Sequence, residues 1–131
     1  MARKRYRRRK KKLWSKRSDY TCIDGSVVSM DSTWEVACAV RLDELGIVWV
    51  RSRDIKIHYR DKKLRSRNYV PDFYLPEYDI YLEVKGYWTD RAKWKMRDVM
   101  VRNPGKICLL ESLEAVTSLS LPILPSTGSI T

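Results

Sequence analysis

The chain has 131 residues, 44% of them hydrophobic and 11% aromatic, which is one domain's worth and enough to build a modest core. Its formal net charge of +11 is uneven: eleven of the 27 Lys and Arg lie in residues 1–17, which hold no acid, leaving 16 basic against 16 acidic residues elsewhere. A neutral body with a basic arm is the pattern of a polyanion binder, nucleic acid first among partners; no apolar run approaches the ~18 residues of a membrane span and no signal-peptide core is visible, so a cytoplasmic protein is expected.

Residues 1–17 cannot bury themselves and are expected to stay disordered until they meet phosphate, with Arg3, Lys4, Arg5, Arg7, Arg8, Arg9, Lys10, Lys11 and Lys12 as the contacts. A lead-in loop follows, with a short strand at residues 26–30. The first helix is predicted from Ser32, where STWE fits a capping box, through Trp34, Ala37, Cys38, Leu42 and Leu45 to the stop at Gly46. Residues 47–50 (IVWV) and 55–59 (IKIHY) are strand-like, and residues 60–67 form a basic polar loop. NYVPDFYL (68–75) and DIYLEVK (79–85) form the best hairpin candidate. Thr89 can cap a second helix running to about Asn103. Pro104-Gly105 ends it, KICLLE (106–111) makes a buried strand, residues 112–119 a short helix, and residues 120–131 an irregular tail. Residues 18–119 are thus expected to form a single α/β domain, a mixed central sheet flanked by helices.

The three cysteines (Cys22, Cys38, Cys108) and the single His58 are scattered without zinc-ligand spacing, and an odd count argues against a disulfide framework. The cysteines are expected to be packing residues and His58 a strand residue rather than a base. The charged residues of the hairpin are more informative. If Leu75 pairs with Ile80, partner numbers sum to 155 and Asp72 comes opposite Glu83. Ile80, Leu82 and Val84 then share one face, while Tyr81, Glu83 and Lys85 share the other. Facing Cβ atoms in such a pair lie ~4.5–5.5 Å apart. Two carboxylates ~5 Å apart repel by roughly 3 kcal/mol at an effective dielectric of ~20. A divalent cation between them reverses that sign, and hard oxygen ligands suit Mg²⁺. Glu35 would add a third carboxylate from the first helix.

The sequence VPDFYL followed by YLEVKGYW, with ten residues between Asp72 and Glu83, resembles the PD-(D/E)XK nuclease superfamily. Within it, STWE, the helix ending ELGI, YVPDFYLP and LEVKGYW are most similar to the phage endonuclease I family of Holliday-junction-resolving enzymes, and also to free-standing phage homing-type endonucleases. The resemblance covers about 80 residues, from Ser32 to Glu111. It implies an αβββαβ restriction-endonuclease-like core and a Mg²⁺-dependent endodeoxyribonuclease leaving 5′-phosphates, with Mn²⁺ as a substitute metal. Glu35, Asp72, Glu83 and the backbone carbonyl of Val84 would be the metal ligands, and Lys85 the catalytic lysine. DNA and a second copy of the chain are the implied partners, and the host-cell cytoplasm the compartment if a phage encodes it.

Each of these residues also has a plainer reading. Glu35 could be only a capping-box residue, Lys85 a salt-bridge partner, and the basic residues Lys93, Lys95, Arg97 and Arg102 of the second helix either its solvated face or a phosphate-contacting surface. Beside a junction resolvase or a site-selective homing-type nuclease, a non-catalytic basic nucleic-acid-binding protein would explain the arm, but it leaves the facing acids without a role.

Overall fold

Helix α1 (Thr33–Glu44) begins where Ser32 supplies a cap, its Oγ accepting the Glu35 N–H at 3.1 Å. It ends in a Schellman turn: Gly46, at φ 69°, donates to the Asp43 carbonyl, and Ile47 donates to that of Leu42. The computed structural model describes residues 16–126, so the arm residues Arg3 to Lys12 lie outside the described residues. Within that span the chain is mixed α/β, with three small sheets and three helices.

Strands β1 (Ser18–Thr21) and β2 (Val27–Met30) form an antiparallel hairpin whose turn includes Gly25 at φ 88°. The sequence predicts only the second of them. Strands β3 (Ile57–Arg60) and β4 (Ser66–Tyr69) form a second antiparallel pair, so the basic loop is shorter than the sequence suggests. The third sheet has the order β5 (Phe73–Leu75), β6 (Ile80–Val84), β7 (Ile107–Leu110). Its β5–β6 pair is antiparallel with Leu75 opposite Ile80, the predicted register, and β6–β7 is parallel. Helix α2 (Asp90–Arg102), capped by Thr89, makes the crossover between those parallel strands.

Two sequence expectations need correction. The predicted strand over residues 68–75 is broken into β4 and β5, because Pro71 has no N–H to give a ladder and Asp72 turns aside as a bend. The predicted strand over residues 47–50 is reduced to one antiparallel bridge, in which Val50 exchanges both backbone hydrogen bonds with Tyr74 at 2.8 Å.

Alternation along the third sheet divides the core in two. Phe73, Leu75, Ile80, Leu82, Cys108 and Leu110 pack with Met30, Cys38, Ala39 and Leu42 of the β2–α1 side. Ile107, with Tyr81 and Leu109, packs instead against Ile57, Tyr59 and Tyr69 of the second hairpin and against Met96 and Val99 of α2. The sheet is therefore covered on both faces, which is what makes the position of Glu83 unusual. Helix α3 (Leu113–Thr117) is capped by Ser112. Residues beyond it lack regular structure, yet Ile123 is buried in the first core and Ser126 binds β7, its N–H to the Ile107 carbonyl and its Oγ to the Leu109 N–H. No helix among the described residues is long and apolar enough to cross a membrane.

Candidate functional site

Two carboxylates, from two different elements, each interact with Asp72 at the end of the third sheet. Glu35 comes from the first turn of α1, Asp72 from the bend before β5, and Glu83 from β6. Glu35 and Glu83 are only 4% and 6% exposed, which is rare for acids. Glu83 lies on the predicted face with Tyr81, but that face is roofed by β4 and α2 rather than open to water. The Asp72–Glu83 opposition is not a ladder pair, since regular pairing stops at Phe73 opposite Leu82. Instead the Asp72 side chain extends the sheet: its Oδ2 accepts the backbone N–H of Val84 at 2.8 Å. Val84, whose carbonyl is an expected ligand, thus has its amide fixed by another member of the set.

The charges act on one another. Glu35 is pushed up to about 7, first by burial and then by the Asp72 charge, against the pull of Arg51. Asp72 is raised well above the usual carboxylate range by loss of solvent and by Glu83. Glu83 is raised by burial, an effect that hydrogen bonding to Asp72 and the Lys95 and Lys85 ammonium charges oppose. A buried acid surrounded by acids holds its proton unless a cation is near.

Arg51 supplies part of that compensation, and little in the sequence points to it. Its Nη1 donates to Glu35 Oε1 at 2.8 Å and to the Asp72 carbonyl at 3.1 Å, with Asp72 Oδ1 3.7 Å away. Its Nη2 reaches Asp31 at 3.1 Å and its Nε reaches the Ser29 carbonyl at 3.0 Å. The only hint is the place of Arg51, one residue past IVWV and so at the end of the segment that meets β5 at Val50. A cleft of about 370 Å³ opens beside it, lined by Arg17, Asp31, Arg51, Arg53 and Asp72 among others.

On the other side of Glu83 stand two lysines. The ammonium of Lys95, on α2, sits 5.3 Å from the centre of the Tyr69 ring, and burial lowers its pKa while the Glu83 charge raises it. Lys85 packs its ammonium 5.7 Å from the ring centre of Trp88. The Tyr69 hydroxyl is buried without a hydrogen bond of normal geometry, and burial and the Glu83 charge raise it well above 10. Of the α2 cations expected at a phosphate-contacting face, Lys95 is turned toward the acids, Lys93 is half-buried, Arg97 is exposed and Arg102 pairs with Asp98.

No family model, curated protein or solved structure matches this chain. The chemistry of the residues must therefore carry the functional reading. Among the described residues no three or more His, Cys, Asp or Glu side chains form a ready-made metal cage. The oxygens present are of the kind hard divalent cations take: desolvated carboxylates, with Asp72 raised further by the Glu83 charge, beside the buried Tyr69 hydroxyl. Arg51 is the positive group bridging Glu35 and Asp72.

Proposed function

We propose that the chain is a divalent-metal-dependent DNA endonuclease acting on branched DNA, with an αβββαβ restriction-endonuclease-like core. The order α1, the Val50 bridge, β5, β6, α2 and β7, with the β3–β4 hairpin inserted before β5, supports that core, as does the parallel placement of β7 beside β6. The observation that carries the reading is the approach of Glu35 and of Glu83 to Asp72, three desolvated carboxyls from separate elements, each with a raised pKa. A fold gains no stability from gathering desolvated like charges, so their retention points to a ligand.

Glu35, Asp72, Glu83 and the Val84 carbonyl would hold Mg²⁺, or Mn²⁺ in its place. The ion supplies Lewis-acid activation of the phosphodiester and charge for the leaving oxygen. The chain's own groups do the rest. Asp72 fixes the end of β6 through the Val84 amide, so the sheet itself sets the spacing of two carboxylates. Lys85 and Lys95 present positive charge around Glu83, where an attacking water or a phosphate oxygen would be oriented. Arg51 offsets part of the charge of Glu35 and Asp72 and holds the two side chains in place. The arm, Arg3 to Lys12, and the helix cations Lys93 and Arg97 bind the DNA backbone. A homodimer belongs to the same reading, because one small body has limited surface for recognising a branched substrate.

The test is metal-dependent cleavage of a four-way junction beside matched linear duplex and single strand. Preference for the junction and 5′-phosphate products are expected. Sequence-restricted cutting of linear duplex would assign a homing-type nuclease instead. Asp72→Asn or Glu83→Gln should abolish cutting while DNA binding persists; unchanged cleavage in either variant removes the proposed site. DNA binding without any cleavage would leave a basic binding protein.

A further inference from the structure

The basic loop between β3 and β4 is a built surface rather than a disordered tether. Its turn is organised around Asp61, which accepts the N–H groups of Lys63 at 2.9 Å and Arg65 at 3.0 Å. The same carboxylate accepts Nε of Arg65 at 2.9 Å and Nε of Arg67 at 3.2 Å. Burial works against the ionised form, but these hydrogen bonds hold the acid well below the usual range. One acid thus orders two guanidinium groups. Together with Lys62, Lys63, Arg91 and Trp94 they line a cleft of about 340 Å³. Five cations meet one acid there, in a body whose charges balance only when this cleft is counted.

The geometry points to this cleft as a phosphodiester-backbone site for duplex DNA, one turn of α2 from Lys95. The inference rests on the reading of the chain as a DNA-acting protein. Trp94 forms a firm wall: its indole N–H donates to the Arg60 carbonyl at 3.1 Å, and the Lys62 ammonium lies 6.0 Å from its ring centre. At the turn's tip Leu64 is 72% exposed and holds φ 61°, a conformation unfavourable for a branched apolar residue. Such strain is retained at surfaces that meet a partner more readily than on idle loops. Arg91 lines the cleft and Lys95 stands by Glu83, one turn apart on the same face of α2 and about 6 Å along its axis. At ~3.4 Å per nucleotide step, a backbone engaged at Lys95 reaches Arg91 within roughly two steps.

The experiment uses the full chain without metal, so that binding is read apart from cutting. Lys62→Glu with Lys63→Glu changes two exposed side chains, with Lys56→Glu, an exposed cation outside the cleft, as the control. Affinity for a labelled duplex is followed by anisotropy across a salt series. The double variant should weaken binding about tenfold at low salt and reduce the log–log salt slope by about 2, near 0.9 for each phosphate no longer neutralised. The control should move neither by more than half as much. Duplex should also protect Lys62 and Lys63 of the unaltered chain from acetylation. An unchanged slope, an equal effect of the control, absence of protection, or no duplex binding by the unaltered chain would each overturn the inference. Loss of binding in the double variant of a chain that never cuts DNA would retain the cleft and remove the nuclease reading.

Discussion

Arg51 donates to Glu35 at 2.8 Å, joining a loop cation to a helix acid that is almost fully buried. Glu35 also anchors the helix start through its own N–H on Ser32, so one residue serves both as an N-terminal helix position and as half of a buried ion pair. Ser32 caps the helix through the Glu35 amide, while the Glu35 carboxylate is held by Arg51.

Removing Arg51 should expose how much it offsets. Breaking a buried pair commonly costs about 3–5 kcal/mol, and since Arg51 keeps 15% of its side-chain surface, Arg51→Ala is expected to cost about 2–4 kcal/mol. Denaturant unfolding measures this. Glu35→Gln in the Arg51→Ala background should recover part of the loss, and strict additivity of the two changes would show that the pair is not coupled.

The raised Glu35 carboxyl makes metal-free stability depend on pH. The folded protein retains a proton up to about 7 that the unfolded chain releases near 4.5. The resulting stabilisation is complete below 4.5 and is lost as pH rises through about 7, a fall on the order of 3 kcal/mol. Melting in chelator should therefore decline over that window, and Glu35→Gln should flatten the profile. Added Mg²⁺ is expected to raise the melting temperature most at the upper end, where the carboxylates are ionised.

Deleting residues 1–12 should weaken DNA binding without altering the fold of the body. If the arm neutralises about six phosphates, its removal lowers the log–log salt slope by roughly 5. A titration of the truncated chain across salt reads this directly, and an undiminished slope would move the arm's role elsewhere.

The C-terminal segment should behave as part of the body up to Ser126. Ile123 is 3% exposed within the main core, so Ile123→Ala is expected to destabilise by about 2–4 kcal/mol with an unchanged denaturant slope. Ending the chain after Leu119 should cost at least as much, because it also strips the Ser126 hydrogen bonds from β7.

The β5–β6 register is readable in the sequence because Pro76 to Asp79 can only be a turn and the apolar residues alternate on either side of it. Asp79 indeed takes φ 52° there. Both long helices are equally plain, since Ser32 and Thr89 are strong caps and the buried positions recur at helical spacing. What the sequence conceals are contacts made by side chains across long separations. That Asp72 gives an oxygen to the Val84 amide, and so leaves the ladder, follows from Pro71 and the bend rather than from alternation. Arg51 sits in an aperiodic loop, and its partners Asp31, Glu35 and Asp72 come from three different places in the chain. Lys95 reads as one of several cations on a basic helix. Only the docking of α2 over Tyr69 turns it toward Glu83.

Val50 and Ser126 have a bearing on how two copies of the chain could meet. Each lies alongside an outer strand of the third sheet, Val50 against Tyr74 of β5 and Ser126 against Ile107 and Leu109 of β7. At those residues the backbone donors and acceptors that an incoming strand would need are already taken. The sheet is thereby protected from edge-to-edge growth into larger assemblies. Two copies of the chain therefore meet obstruction at both edges of this sheet, at Tyr74 and at Ile107 and Leu109.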